Sequence, residues 1–198
     1  LIPIEAFGLK LMSIGFLAGS EKAMVWRGPM VSKAIQQMLG DVNWGELDYL
    51  VIDLPPGTGD ASLTVAQSVP LSGVAIVCTP QDVALDIAVK ALQMFRSLNV
   101  TPLGLIENMS WYVCPDCGHT AHIFSHGGAE KASRRLGLPY LGAIPLEEAI
   151  REEADAGAPV VVSRPDSAGA AAFRELATKV AAQTSIHSYR KLPVLNVR

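Results

Sequence analysis

Hydrophobic positions along the chain fall into two rhythms. Short, nearly unbroken apolar runs occupy residues 47–53, 73–79, 102–108 and 140–144. Runs of this length read as strands buried on both faces, since a strand with one wet face would alternate. A fifth run at 11–15 is a further strand candidate. Longer amphipathic stretches separate them. Residues 29–39 open on Pro29, which suits the first helical position. Residues 82–98 set Val83, Ile87, Leu92 and Phe95 near helical spacing, with Asp82 as the expected cap. Residues 129–136, 146–156 and 167–182 complete the expected helices. Strands alternating with helices predict an α/β fold, a mainly parallel sheet flanked by helices with right-handed crossovers.

Two intervals need separate readings. No charge lies between Asp60 and Asp82, but Ser62, Thr64, Gln67, Ser68, Pro70, Ser72 and Gly73 break the apolar run. That predicts a helix, a turn and a buried strand, not a membrane span. The stretch 110–128, rich in Cys, His and Gly, interrupts the strand–helix rhythm as an expected knuckle. Periodicity fades over 185–198, so the expected organisation is one domain over 1–184 and a tail.

Composition narrows the function classes. The 198 residues suit one domain of ordinary size, or at most two small ones, burying about 70% of the surface of the unfolded chain. Sixteen basic and nineteen acidic residues leave a net charge of −3, with no general attraction to nucleic acid or anionic membrane. Three cysteines cannot pair evenly, which favours a reducing compartment. The chain opens on Leu1 with no leader-like basic and apolar segment, and the expectation is that it begins inside a longer protein.

Two strings carry candidate chemistry. The run from Leu50 to Asp60 ends an apolar strand in Asp53 and continues Leu-Pro-Pro-Gly-Thr-Gly. It would put a carboxylate at the carboxyl edge of the sheet, where open α/β sheets bind ligands. Such an aspartate holds Mg²⁺ in nucleotide hydrolases, and the turn after it can offer a backbone N–H to a phosphate. A strand-end aspartate that merely caps the next helix is the structural alternative. No Gly-x-x-x-x-Gly-Lys-Ser/Thr loop accompanies it, and the chain has no Gly-Lys dipeptide. Gly127-Gly128 reads as a helix start, not as a phosphate loop.

The second string is Cys114-Pro-Asp-Cys117-Gly-His119, followed by His122 and His126. Two thiolates at this spacing can grip a soft metal ion or one edge of an iron–sulfur cluster. A redox pair, a zinc site and half a site completed by a second subunit all remain open on spacing alone, although His119 and His122 are poorly spaced for a zinc finger. Cys78 closes an apolar run and reads as a small buried hydrophobe. Trp26, Trp44 and Trp111 read as packing or interface residues, not as a binding stripe.

Several strings in order point to one family. They are Trp26-Arg-Gly-Pro-Met30, Asp48 through Asp60, Thr79-Pro-Gln81, Glu107-Asn-Met-Ser110, Cys114-x-x-Cys117-Gly118 and Leu141-Gly-x-Ile-Pro145. The chain resembles the Mrp-type iron–sulfur carrier ATPases of the MinD-like deviant P-loop class, in particular the branch with bacterial ApbC and its mitochondrial counterpart. The resemblance implies a MinD-like P-loop NTPase fold, incomplete at its amino-terminal end. It implies a homodimer that binds ATP near the subunit interface and hands a 4Fe–4S cluster to apo iron–sulfur proteins. By position, Asp53 matches the Mg²⁺-side aspartate and Gly57 the switch that senses the terminal phosphate. Asn108 matches the adenine-binding residue, Pro145 the wall of the base pocket, and Cys114 and Cys117 the cluster ligands. The bacterial cytoplasm, or the mitochondrial matrix in a eukaryote, is the implied compartment.

The signature P-loop lysine and first switch aspartate of that family lie upstream of the segment matching Leu1, so residues 1–198 alone are expected to be inactive as an ATPase. The related folds place the P-loop strand between the Asp53 and Cys78 strands, and its absence predicts a sheet with unpaired inner edges. Two other classes stay in view: a scaffold that binds metal without nucleotide, and a positioning ATPase of the MinD/ParA type. The cysteine pair argues against the second.

Overall fold

The structure is a computed structural model that describes residues 1–18, 28–55 and 59–190. The chain divides into two compact units, Leu1–Pro70 and Leu71–Arg198.

In the first unit, β1 (Ile4–Ala6) and β2 (Leu9–Leu11) pair antiparallel, with Ile4 opposite Leu11. Phe7 and Gly8 join them, both at positive φ (52° and 75°), as a two-residue turn that follows the twist of the strands. Leu11 closes β2, and the expected strand at 11–15 gives way to α1 (Ile14–Ala18). Ser13 explains the switch: its Oγ accepts the Gly15 N–H at 3.2 Å and its carbonyl accepts the Phe16 N–H at 3.0 Å, starting a helix. Next come α2 (Gly28–Gly40) and α3 (Asp60–Ser68), joined side by side by a 2.7 Å hydrogen bond between Ser32 Oγ and Thr64 Oγ1. A Cβ on Gly28 would collide with the Asp60 carboxylate, so glycine permits this approach.

The expected strand at 47–53 does not form. A strand needs a ladder partner for its N–H and C=O groups, and none pairs with this segment among the described residues. Most of its apolar side chains stand in solvent instead, Leu50 at 45% and Val51 at 88% exposure.

The second unit holds the parallel sheet. It runs β3 (Val74–Cys78), α4 (Asp82–Ser97), β4 (Pro102–Glu107), β5 (Tyr112–Val113), β6 (Thr120–Ala121), α5 (Gly128–Leu136), β7 (Tyr140–Ala143), α6 (Glu148–Asp155), α7 (Val160–Ser163) and α8 (Ala168–Arg190). Strand order is β3-β4-β7, and both pairings are parallel. The crossover helices α4 and α5 cover one face, where Ile76, Cys78, Leu105, Ala88, Leu92, Ala129 and Ala132 form a core. On the other face Leu103, Ile106, Leu141 and Ile144 meet Ile150 of α6 and Phe173, Leu176 and Val180 of α8. Two covered faces explain why these strands read as continuous apolar runs.

Two bulges set which side chain faces which core. Val74 pairs with Pro102 but Ala75 with Gly104, so Leu103 is an extra residue on β4. Leu103 and Leu105, two apart, therefore enter opposite cores. Gly104 makes this possible at φ 152°, where an added Cβ would strike the Pro139 carbonyl and the Leu141 side chain. Leu141 is extra in the same way on β7.

Three helix ends differ from expectation. Gln81, not Asp82, is the N-cap of α4, and Asp82 lies in the first turn, where its charge meets the helix dipole. Helix α6 starts at Glu148, since Leu146 still belongs to the strand extension, its N–H donating to the Trp111 carbonyl at 2.7 Å. Helix α8 continues past residue 185 to Arg190. The uncharged interval after Asp60 forms α3, a turn and β3, and no helix among the described residues is long and apolar enough to cross a membrane.

Candidate functional site

Parallel strands bring their carboxyl ends to one edge, and the pairing of this sheet continues past β4 and β7. Ile144 donates to the Glu107 carbonyl at 2.8 Å, and Ser110 donates to the Ile144 carbonyl at 3.0 Å. Asn108 and Pro145 therefore sit on neighbouring strand extensions. The Asn108 N–H donates to the Cys78 carbonyl at 2.8 Å, and its Oδ1 accepts the Met109 N–H at 2.9 Å. Met109 turns the chain at φ 55°. Pro145 is buried between the two paired residues Ile144 and Leu146, a place where a missing N–H costs nothing.

Beyond Ser110 the chain forms the small antiparallel pair β5–β6, with Tyr112 opposite Ala121 and Val113 opposite Thr120. Its loop is the knuckle. The Cys114 N–H donates to the His119 carbonyl and the Gly118 N–H to the Cys114 carbonyl, both at 2.9 Å. Gly118 takes φ 70°, a left-handed conformation that glycine adopts without a Cβ penalty. In this ring the backbone N–H of Cys117, then that of Asp116, then the Cys117 side chain point at Cys114 and hold its thiol below the usual range. Cys114 is half-buried, Cys117 is exposed, and both are free thiols. Among the described residues no three His, Cys, Asp or Glu side chains gather as a metal site, so the knuckle offers two ligands per chain. Cys78 is the opposite case. Burial, aided by the Glu107 charge, pushes its thiol up to about 11, as befits a packing residue.

The residue that ties the knuckle down is Glu107, fully buried at the end of β4. Its Oε1 accepts the Ser110 hydroxyl at 2.5 Å and the Gly127 N–H at 2.9 Å, and its Oε2 accepts the Ala129 N–H at 2.8 Å. The carboxylate thus caps α5, whose own N-cap, Gly127, has no side chain to do so. Gly128 lets the helix start press on β3's exit, since a Cβ there would meet the Pro80 carbonyl at 2.5 Å. Ser110 Oγ also lies 2.8 Å from His126 Nδ1, and His122 Nδ1 lies 3.3 Å from the Ser110 carbonyl. Both ends of the 110–128 insertion are fixed to one acid.

Sequence reasoning quoted Glu107 and Ser110 without giving them a role. The available signal was a carboxylate inside an otherwise apolar strand, where an unpaired charge is costly. Of the expected site residues, the Leu71–Arg198 unit brings Asn108, Pro145, Cys114 and Cys117 to one end of its sheet. Asp53 is an exposed residue of the Leu1–Pro70 unit, and Gly57 and Trp26 lie outside the described residues.

Comparisons with known proteins identify the family. The family described as ParA, NUBPL iron-transfer P-loop NTPase, matches residues 1–181. The iron-sulfur cluster carrier protein of Salmonella typhimurium is 51% identical over 181 residues, 91% of this chain and 49% of that protein. The chain thus spans about half the length of the curated relatives it matches. Among solved structures, a nucleotide-binding protein from Archaeoglobus fulgidus, in complex with ADP, aligns at TM-score 0.65 and 37% identity over 79% of this chain and 60% of that one. The cell division ATPase MinD of Pyrococcus furiosus aligns at TM-score 0.58 and 23% identity over 79% and 59%, a likeness of fold. The chain belongs to the NUBPL iron-transfer P-loop NTPase family of the ParA group.

Proposed function

We propose that this chain is part of an ATP-dependent iron–sulfur cluster carrier that delivers a 4Fe–4S cluster to apo iron–sulfur proteins. The observation that carries the reading is the knuckle, in which two backbone N–H groups face Cys114 and favour its thiolate. Thiolate is the form that ligates iron, and hydrogen bonds to sulfur are a recognised control on cluster chemistry. Two ligands per chain suit a cluster shared with a second copy, each contributing Cys114 and Cys117. Such a cargo, held by no single chain, is easier to pass on than one in a closed four-cysteine cage. The similarity to an iron-sulfur cluster carrier protein 51% identical supports the same reading.

The nucleotide side rests on the sheet edge. Asn108 would hydrogen-bond adenine and Pro145 would line the base pocket, while Asp53 would hold Mg²⁺, usually through water, and Gly57 would sense the terminal phosphate. The ADP complex of the Archaeoglobus relative supports nucleotide binding in this fold. Three free thiols among the described residues fit a reducing compartment, the bacterial cytosol or the mitochondrial matrix.

Anaerobic reconstitution of the chain with iron and sulfide tests the proposal. It should yield about one cluster per two chains. Cys114→Ser and Cys117→Ser should each abolish it, whereas Cys78→Ser should not. One tightly held zinc per chain, dependent on His119 or His122, would overturn the shared-cluster reading.

A further inference from the structure

The three cysteines of the chain stand in two different surroundings. Cys78 is buried in the sheet core, while Cys114 and Cys117 share one tight turn. That turn is closed twice, by the Gly118 N–H on the Cys114 carbonyl and by the Cys114 N–H on the His119 carbonyl, both at 2.9 Å. A turn closed over four residues carries positions i and i+3 on one side, as a helix does. The Cys117 side chain hydrogen-bonds the Cys114 sulfur. The two sulfurs are therefore neighbours within one closed ring, as an intramolecular disulfide requires.

We infer that Cys114 and Cys117 form a thiol–disulfide switch, closing to an intramolecular disulfide when a low-molecular-weight disulfide is the oxidant. Exposure sets the order of events. Cys117 is exposed and meets the oxidant, whereas Cys114 is half-buried. The Cys117 sulfur loses its proton, attacks the oxidant and displaces one thiol, leaving a mixed disulfide. The Cys114 sulfur then attacks that of Cys117, loses its own proton and expels the second thiol. The two cysteines give up two electrons and two protons, and the oxidant takes them up as two thiols. An exposed cysteine beside a resolving one is the arrangement of redox sensors. In a reducing compartment disulfides are typically transient, and exposed ones are the labile class. Buried Cys78 stays outside the exchange. The consequence for cargo rests on the cluster reading: a closed disulfide offers iron no thiolate, so oxidation shuts the knuckle and reduction reopens it.

The test incubates the whole chain with glutathione disulfide and reads its intact mass, then its cysteine peptides after alkylation in denaturant. The wild type should lose two hydrogens, with Cys114 and Cys117 protected and Cys78 alkylated, and dithiothreitol should restore the thiols. Cys114→Ser should stop instead at one glutathione on Cys117. A wild-type product that keeps glutathione, or that joins two chains, would overturn the switch. This readout needs no metal, so its failure is distinct from failure of the cluster reading. Reconstitution of the oxidised chain with iron and sulfide, without added thiol, is the second arm. Loading should fall to background and return after dithiothreitol treatment, and loading untouched by a confirmed disulfide would overturn the gate.

Discussion

Glu107 caps a helix that begins 21 residues later in the chain, its Oε2 accepting the Ala129 N–H at 2.8 Å. The same carboxylate accepts the Ser110 hydroxyl, so one buried acid closes the loop that carries both knuckle cysteines. It immediately precedes Asn108, which places the proposed base-reading residue and the root of the knuckle on consecutive positions of one strand extension.

Removing that acid should be costly. Glu107→Ala strands the Ser110 hydroxyl and the α5 N–H groups in a buried site, where each unsatisfied group costs about 1–3 kcal/mol. A total loss near 3 kcal/mol is expected in urea unfolding. Glu107→Gln keeps one carbonyl acceptor and should lose roughly half as much. Equal losses for the two variants would mean that packing, not hydrogen bonding, holds the helix start.

The knuckle should reveal itself by thiol chemistry. Backbone N–H groups hold the Cys114 thiol below its usual range, whereas burial holds Cys78 up near 11. Iodoacetamide at neutral pH should therefore label Cys114 in the folded chain and spare Cys78, as read by peptide mass spectrometry. Gly118→Ala puts a Cβ on a left-handed residue, a strain of about 1–2 kcal/mol. It should shift the Cys114 labelling midpoint toward higher pH. An unchanged midpoint would separate the thiol's acidity from the ring geometry.

Much of this arrangement was legible, and what was missed has a common cause. The runs at 73–79, 102–108 and 140–144 became β3, β4 and β7 because helices cover both sheet faces. The run at 47–53 reads equally apolar but lacks a ladder partner among the described residues, and periodicity carries no information about partners. The bulge at Leu103 was hidden too, since only the register against β3 shows that Leu103 and Leu105 face apart. The cysteine spacing announced the knuckle locally. The Glu107 cap was invisible to local rules because it joins positions that only the fold brings together. Likewise His122 and His126 are separate residues in the sequence, and only the fold brings both rings to Ser110.

Alkaline stability offers a further check. Burial, with the Glu107 charge second, raises Cys78 to about 11, so the folded state favours the protonated thiol. The associated stability is whole below the ordinary thiol value and is lost as pH rises toward about 11. The shift corresponds to a loss on the order of 2 kcal/mol. Tyr140, raised to about 12 by burial and then by Glu107, adds a loss at higher pH. Cys78→Val should remove the first step and leave the second in melting curves taken across this range. A wild-type melting temperature that is flat between those values would exclude both.

The exposed run before Asp53 should govern how the isolated chain behaves. Leu47, Tyr49, Leu50 and Val51 expose 42%, 57%, 45% and 88% of their surfaces, and no strand forms there among the described residues. An apolar segment with open backbone groups is a template for pairing with another chain. Residues 1–198 in isolation should therefore self-associate with rising concentration and unfold over a broad temperature range. Val51→Lys places a charge at the most exposed apolar position of the run and should shift gel-filtration profiles toward monomer. It should change intrinsic stability by no more than about 0.5 kcal/mol, since the wild-type side chain contacts mainly water. A wild-type chain that elutes as a monomer at high concentration and melts sharply would show that the run at 47–51 is covered in solution, and that the apolar residues preceding Asp53 have a partner within the same chain.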